Sequence, residues 1–260
     1  MGTIKRLHTK ERRQLPIKSG LVDFTARPLM MTRKIKKAFY ILLLIFMTVT
    51  IFSPPLYIKA DNSKKLILVD PGHGGIDGGA VAKDGTLEKD INLIIAKKVR
   101  DLLVKEGYKV LMSREEDKSL CTEGGTIRKK KLEDLDNRQK LIKSSKCDMF
   151  ISIHLNAFPQ RQYYGAQVWY ASNKKSEVFG TMMQNNLRED LDVNNKRKAK
   201  DAKDSFIIMR NPPNIPAIII ECGFLSNEME AQKLKSDSYQ QQLAQTIVKT
   251  VNMYFQKNPQ

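Results

Sequence analysis

Short apolar runs alternate with amphipathic stretches along most of this chain. Each apolar run stops at a turn residue or a polar side chain, which is typical of buried strands. Between the runs, apolar residues recur at i, i+3 and i+4, the spacing of a helix with one buried face. The pattern predicts strands over residues 65–69, 108–112, 149–154, 166–170, 205–209 and 217–222, and helices over 88–106, 132–145, 176–191 and 239–255.

This alternation predicts a single α/β domain, with a largely parallel twisted sheet flanked by helices. A small hairpin is predicted over residues 79–87 and a charged loop over 194–204. Residues 117–131 are predicted to be irregular, because they are polar and contain two glycines. Ligands of such sheets collect at the carboxyl ends of the strands, so the active site is expected at that edge.

The first 60 residues have a different pattern. Residues 1–37 form a basic leader with eleven Lys or Arg against Glu11 and Asp23. Residues 38–60 begin with fifteen apolar positions, which suits the apolar core of a signal peptide or, if extended, a membrane anchor. Because export signals normally begin at the N-terminus, Met30 or Met31 is predicted as the true start; the alternative is a genuine basic cytoplasmic tail. The predicted α/β domain then comprises residues 61–260.

Charge and cysteine content restrict the function further. The net charge is +17, but residues 61–260 carry only +7 of it. That excess either attracts anionic wall polymers or serves solubility. Nucleic-acid binding is not predicted, because few aromatics lie near the Lys/Arg runs and the chain carries an export pattern. An odd count of three cysteines without a CxxC pair argues against a disulfide framework.

Four residues at predicted strand or helix ends carry candidate chemistry. His73 and His154 each follow an apolar run, Glu88 opens a helix and Glu221 closes a buried strand. Two histidines and one glutamate are the protein ligands of a common hydrolytic zinc site. A further glutamate is then free to act as a base. Glu88 alone would equally suit the positive end of a helix, whereas a carboxylate in a buried strand is costly unless it is paired or functional.

The same residues suggest two other functions, nucleotide binding and cysteine hydrolysis. The glycine-rich turn around His73 lacks the Gly-Lys-Ser/Thr of a phosphate loop, and Asp77 stands where a dinucleotide motif needs glycine. A cysteine hydrolase could use Cys222 with His154. Period-two alternation, however, places Cys222 on the strand face opposite Glu221.

Several separated motifs resemble the type 3, zinc-dependent N-acetylmuramoyl-L-alanine amidases, in the order in which that family has them. These motifs are residues 69–75, 87–90, 113–114, 151–157 and 220–227. The similarity extends from about Leu66 to Phe255. It is greatest to the germination-specific amidases of endospore formers, through residues 122–124, 128–135, 165–167 and 196–200. Cys222 departs from the small aliphatic residue that is usual in the family.

The resemblance implies one zinc ion, bound by His73, Glu88 and His154. It also implies Glu221 as the catalytic base. Three further residues are candidates for substrate contact: Asn156, Arg114 and Arg138. For the two arginines, the alternatives are support of the metal ligands from behind and ordinary surface salt bridges.

By the same resemblance, the substrate is peptidoglycan and the reaction cleaves the amide between N-acetylmuramic acid and L-alanine. The implied role is formation of the muramic-δ-lactam of the spore cortex, which germination needs. The implied location is outside the cytoplasmic membrane, secreted or held by an anchor, with an accessory lipoprotein as partner. A non-catalytic wall-binding protein of the same fold is the alternative.

Overall fold

The computed structural model describes residues 32–52, 65–122, 124–211 and 213–258. The chain divides into two units, residues 1–58 and 59–260. In the first unit, helix α1 spans Arg33–Phe52. No helix of the described ranges has both the length and the apolarity needed to cross a bilayer. Met30 and Met31 lie outside the described residues, so the start and the signal peptide stay predictions.

The second unit is built on a six-stranded sheet with the order β2-β1-β3-β6-β4-β5. β4 is antiparallel to β6, and the other neighbouring strands are parallel. The strands are β1 (Leu66–Pro71), β2 (Lys109–Met112), β3 (Met149–Asn156), β4 (Gln167–Tyr170), β5 (Lys200–Asp201) and β6 (Ala217–Phe224). The helices are α2 (Glu88–Lys105), α3 (Ile127–Ser144), α4 (Lys174–Leu191), α5 (Glu228–Lys235) and α6 (Asp237–Lys257). The predicted α/β domain with a largely parallel sheet is confirmed.

Both faces of the sheet are covered. On one face, α2, α4 and α6 bury side chains such as Ile95, Phe179 and Ile247 against the central strands. On the other face, Ile142 of α3 and a short 3-10 helix, Ile207–Met209, pack on a second apolar cluster. Strands covered on both sides read as nearly continuous apolar runs, which is why the pattern identified β1, β3 and β6.

The predicted strand at 205–209 is wrong, because this segment forms the 3-10 helix instead. A short apolar run does not distinguish a strand from a helical turn. The edge of the sheet next to β4 is formed by a segment earlier in the chain. Lys200 and Asp201, in the predicted charged loop, pair with Trp169 and Tyr170.

Helix boundaries also differ from the prediction. α3 begins at Ile127, inside the segment predicted to be irregular, because the Thr126 side chain accepts a hydrogen bond from the Lys129 amide and caps the helix. α5 was not predicted; Asn227 caps it through the amides of Met229 and Glu230. Elsewhere, an antiparallel bridge forms within the predicted hairpin at 79–87. The three cysteines are free thiols, which agrees with the expected lack of a disulfide framework.

Candidate metal centre

The carboxyl ends of three adjacent strands bring the predicted residues together. His73 follows β1, His154 lies near the end of β3, and Glu221 lies in β6 directly opposite His154 in the strand register. The two imidazole rings are 4.9 Å apart between centroids and nearly perpendicular, at 75°. Glu88 enters from the first turn of α2. The four side chains therefore meet at the edge of the sheet where the site is expected.

Three of these side chains point their ligand atoms at one another. Glu88 Oε1 lies 3.2 Å from His73 Nε2 and 3.1 Å from His154 Nδ1. One ligand atom from each residue lies within 4.8 Å of the other two. Within the described ranges, this is the one cluster of His, Cys, Asp or Glu that meets this criterion. Two imidazole nitrogens and a carboxylate oxygen are the donor set of a catalytic zinc site, so the residues fit that ion.

Glu88 is held rigidly by backbone amides. Its side chain is buried, Oε1 accepts a hydrogen bond from the Leu155 amide at 2.9 Å, and Oε2 accepts one from the Ala80 amide at 2.8 Å. Burial alone would raise the pKa of Glu88. The hydrogen bonds and positive charges of His154 and His73 outweigh that effect and hold the pKa well below its ordinary value. Glu88 is therefore a fixed carboxylate.

His73 is oriented by a carboxylate that the sequence reasoning did not identify. Its Nδ1 lies 2.8 Å from Asp77 Oδ2, and Lys131 Nζ lies 2.6 Å from the other oxygen of Asp77. Burial lowers the pKa of His73, but hydrogen bonds to Asp77 and Glu88 dominate and raise it to about 9. A carboxylate behind a ligating histidine fixes the ring and leaves the other nitrogen free for a metal. In the sequence, the signal for this pair is that Asp77 follows His73 by four residues.

Two glycines allow this close approach. A Cβ on Gly72 would lie 2.2 Å from the His154 ring. A Cβ on Gly79 would lie 2.6 Å from Glu88 Oε2 and 2.8 Å from the His73 ring, and the φ of Gly79 is +69°. The glycine-rich turn therefore brings the backbone against the ligands, as expected for glycine beside a ligand or metal.

Glu221 differs from Glu88 in its surroundings. Its side chain is only 8% exposed, and Oε2 has no hydrogen-bond partner among the residues that the structure describes. Burial raises the pKa of Glu221 to about 7; His154 and His73 lower it, while the negative charge of Glu88 raises it. A buried carboxyl without a partner is costly. A pKa near neutrality suits a group that accepts and returns a proton.

Arg114 and Arg138 both contact the loop that carries His73. Arg114 is 1% exposed and donates to the carbonyl oxygens of Pro71, Gly72 and His73 at 2.7–3.0 Å. Arg138 is 3% exposed and donates to those of Pro71 and His73 at 2.9 and 2.7 Å. The guanidinium groups are thus hydrogen-bonded to the backbone of the loop that carries His73. This favours their supporting role over direct contact with substrate.

A buried ion pair anchors Arg138 in turn. The carboxylate of Asp70 is 1% exposed and accepts hydrogen bonds from Arg138, Ser113 and Ser152. Burial would raise the pKa of Asp70, but Arg138 and the two hydroxyl groups lower it. A buried pair is tolerated only when its remaining atoms are also bonded, as they are here. The third substrate candidate, Asn156, is partly exposed at the end of β3, and its role stays a prediction.

The geometry disfavours a cysteine nucleophile. Cys222 is fully buried in the same apolar cluster as Ile218 and Ile220, whereas Ala217 and Ile219 lie in the cluster on the other face. This is the predicted alternation. Burial, followed by the negative charges of Glu221 and Glu88, raises the pKa of Cys222 far above its ordinary value. The thiol is therefore protonated and remote from solvent, unlike a reactive cysteine.

Comparison with known proteins now identifies the family. Residues 67–253 match the family model described as N-acetylmuramoyl-L-alanine amidase. The chain belongs to this amidase family. It is 43% identical over 195 residues to the germination-specific N-acetylmuramoyl-L-alanine amidase of Bacillus subtilis (strain 168), covering 74% of this chain and 81% of that relative. The resemblance read from the motifs is confirmed.

Solved structures of amidases share the fold. The CwlD amidase from Clostridioides difficile, determined in complex with the GerS lipoprotein, superposes with a TM-score of 0.72 at 43% identity. The match covers 75% of this chain and 100% of that one. An N-acetylmuramoyl-L-alanine amidase from Clostridium difficile 630 gives a TM-score of 0.66 at 31% identity, covering 76% of this chain and 100% of that one. The catalytic class of this chain is therefore that of an amidase.

Proposed function

We propose that this amidase is zinc-dependent and cleaves the amide bond between N-acetylmuramic acid and the L-alanine of the stem peptide. His73, Glu88 and His154 would hold the ion, and Glu221 would act as the base. The observation that carries this proposal is the convergence of three ligand atoms beside a buried, unpartnered carboxylate oxygen. When bound, zinc acidifies water and polarises a carbonyl oxygen.

The protein residues supply positioning and proton transfer. Glu221 takes the proton from the attacking water as the carbon–oxygen bond forms. The same carboxyl group then gives that proton to the amide nitrogen as the carbon–nitrogen bond breaks, so L-alanine leaves as a neutral amine. Asp77 keeps His73 oriented throughout, and the Leu155 and Ala80 amides hold the carboxylate of Glu88. The products are a muramic acid carboxylate on the glycan strand and a free stem peptide.

Removal of metal tests the proposal directly. A chelator is expected to stop the release of stem peptides from purified peptidoglycan, and about one equivalent of zinc should restore it. A thiol-blocking reagent should leave turnover nearly unchanged, because Cys222 is buried. Full activity of a protein shown to be metal-free would contradict zinc dependence. Binding to peptidoglycan without any peptide release would instead favour the wall-binding alternative.

We further propose that the amidase acts in the spore cortex. The support is the similarity to the Bacillus subtilis relative, which is named a germination-specific N-acetylmuramoyl-L-alanine amidase. A strain that lacks the gene is expected to have cortex peptidoglycan without muramic-δ-lactam and spores that fail to germinate. Restoration of the lactam by the wild-type gene, but not by Glu221→Gln, would assign the defect to catalysis. A normal cortex in the deletion strain would contradict this role.

An accessory lipoprotein is proposed as the partner, because the Clostridioides difficile relative was solved with one. Such a complex requires export, which we assign to the basic leader (1–37) and the apolar segment (38–60), as signal peptide or anchor. N-terminal sequencing of the exported protein distinguishes a cleaved signal from a retained anchor and identifies the true start.

A further inference from the structure

The exposed aromatic side chains of the α/β unit lie in one loop. Among its described residues, the large aromatics that are at least two-fifths exposed are Phe158 (45%), Tyr163 (41%) and Tyr164 (47%). All three belong to the segment that joins β3 to β4. The other described aromatics of this unit are buried or partly buried. Clustered exposed apolar surface marks a binding site more often than scattered exposure does.

Hydrogen bonds anchor this loop at both ends. The Phe158 amide donates to Ser226 Oγ at 3.1 Å, and the Gly165 amide donates to Glu230 Oε2 at 3.0 Å. Arg197 donates to the Tyr164 carbonyl at 2.8 Å. A loop that is fixed before a ligand arrives spends little conformational entropy on binding.

Two of these aromatic rings pack against strand β6, which carries Glu221. Phe158 and Tyr163 pack against Phe224 with centroid separations of 5.7 and 6.2 Å, and Phe224 ends β6. Phe224 lies three residues beyond Glu221, which is about 10 Å along an extended strand. The loop itself leaves β3 just after His154. The aromatic loop is therefore anchored to the two strands that carry His154 and Glu221.

Three depressions lie around the loop. Their volumes are about 630, 710 and 280 Å³. Arg161 lines the first and the second, while Gln162 and Tyr164 line the second and the third. Neighbouring depressions are therefore separated only by side chains of the loop, an arrangement that offers adjoining subsites to successive units of a polymer.

Most cationic side chains of these depressions already have partners. Lys83 lies 2.8 Å and Arg161 3.8 Å from Glu228, and Lys235 pairs with Asp84. The Arg197 guanidinium lies over the Phe224 ring at 4.5 Å. Exposed aromatic faces therefore stand beside charges that are partly neutralised by neighbouring carboxylates. A ligand with apolar faces and polar edges matches this composition.

We propose that the aromatic platform, defined as Phe158, Tyr163 and Tyr164 with the three depressions around them, binds the glycan strand of the substrate next to the muramic acid that is cleaved. The proposal rests on the proposed function. A pyranose ring has apolar C–H faces and a rim of hydroxyl groups. Tyrosine matches both, because it offers an apolar ring and a polar tip. The platform positions the polymer, and the metal centre carries out the cleavage.

The test measures binding without turnover. Zinc-loaded Glu221→Gln protein is titrated with glycan strands from which the stem peptides have been removed. Adding Tyr163→Ala and Tyr164→Ala together should weaken this binding at least about tenfold, and Tyr→Phe at both positions should retain most of it. The matched control is Val178→Ala, an exposed apolar residue on α4 that is 38% exposed and should leave binding unchanged.

Competition and folding measurements complete the test. Free stem peptides should not displace the glycan, and all variants should remain folded at the assay temperature and keep their zinc content. If the double variant does not fold, Tyr164→Ala alone should still weaken glycan binding several-fold. Unchanged glycan affinity in the alanine variants would overturn the platform, and so would displacement of the glycan by stem peptides. The platform would also be overturned if the alanine variants lost only their binding to the lipoprotein partner. Turnover of the wild-type enzyme is assayed separately, so a failure of the proposed function is distinguishable.

Discussion

Glu221→Gln is expected to lower amidase turnover by at least about 10² to 10⁴-fold, the range typical of a lost general acid–base group. Zinc binding should be nearly intact, because His73, Glu88 and His154 are unchanged. The readouts are release of stem peptides from peptidoglycan and zinc content. Glu189→Gln, at an exposed carboxylate on α4, is the matched control and should keep full turnover. Substantial activity of Glu221→Gln would refute the base assignment.

The same variant should also change the stability of the metal-free protein. Burial raises the pKa of Glu221 from 4.5 to about 7 in the folded state, so ionisation favours unfolding. The cost is absent below about pH 4.5, increases as the pH rises, and reaches roughly 3 kcal/mol above pH 7. Glutamine does not ionise. Metal-free Glu221→Gln should therefore match the wild type near pH 4 and unfold at higher denaturant concentration at pH 8.

The structure explains why the sequence pattern places His73, Glu88, His154 and Glu221 at one edge of the sheet. Buried strands produce apolar runs that are easy to recognise, and their ends are polar only where function or a turn requires it. His154 and Glu221 each interrupt such a run, and β3 and β6 pair in register at these two residues. Adjacent parallel strands convert separate positions in the chain into neighbours at one edge.

Other features depend on tertiary contacts that a local pattern does not contain. The antiparallel direction of β4 and the helical turn at Ile207–Met209 depend on what packs around them. Both arginines donate to the carbonyl of His73, and every residue possesses a carbonyl group. For that reason the sequence left open whether these arginines contact substrate, support the site or form surface salt bridges. Asp77 was identified only as a residue that excludes a dinucleotide motif.

His73→Ala is expected to weaken zinc binding by more than about 100-fold, because even the loss of an outer partner costs roughly 10- to 100-fold. It removes one of three ligand atoms and also the ring that Asp77 and Glu88 contact. Zinc affinity is measured by competition with a chromogenic chelator, and melting curves establish that the variant folds. A full equivalent of tightly bound zinc in His73→Ala would contradict the ligand assignment.

Asp77→Asn provides the graded comparison that separates a ligand from its support. The amide keeps the size of the side chain and can still accept a hydrogen bond from His73 Nδ1, but it removes the negative charge between His73 and Lys131. Zinc affinity should therefore fall by about tenfold and remain measurable, well short of the loss in His73→Ala. Equal losses in the two variants would mean that Asp77 is itself a ligand or that the loop collapses without it. An unchanged affinity in Asp77→Asn would show that the glycine-rich turn and the two arginines are sufficient to hold His73.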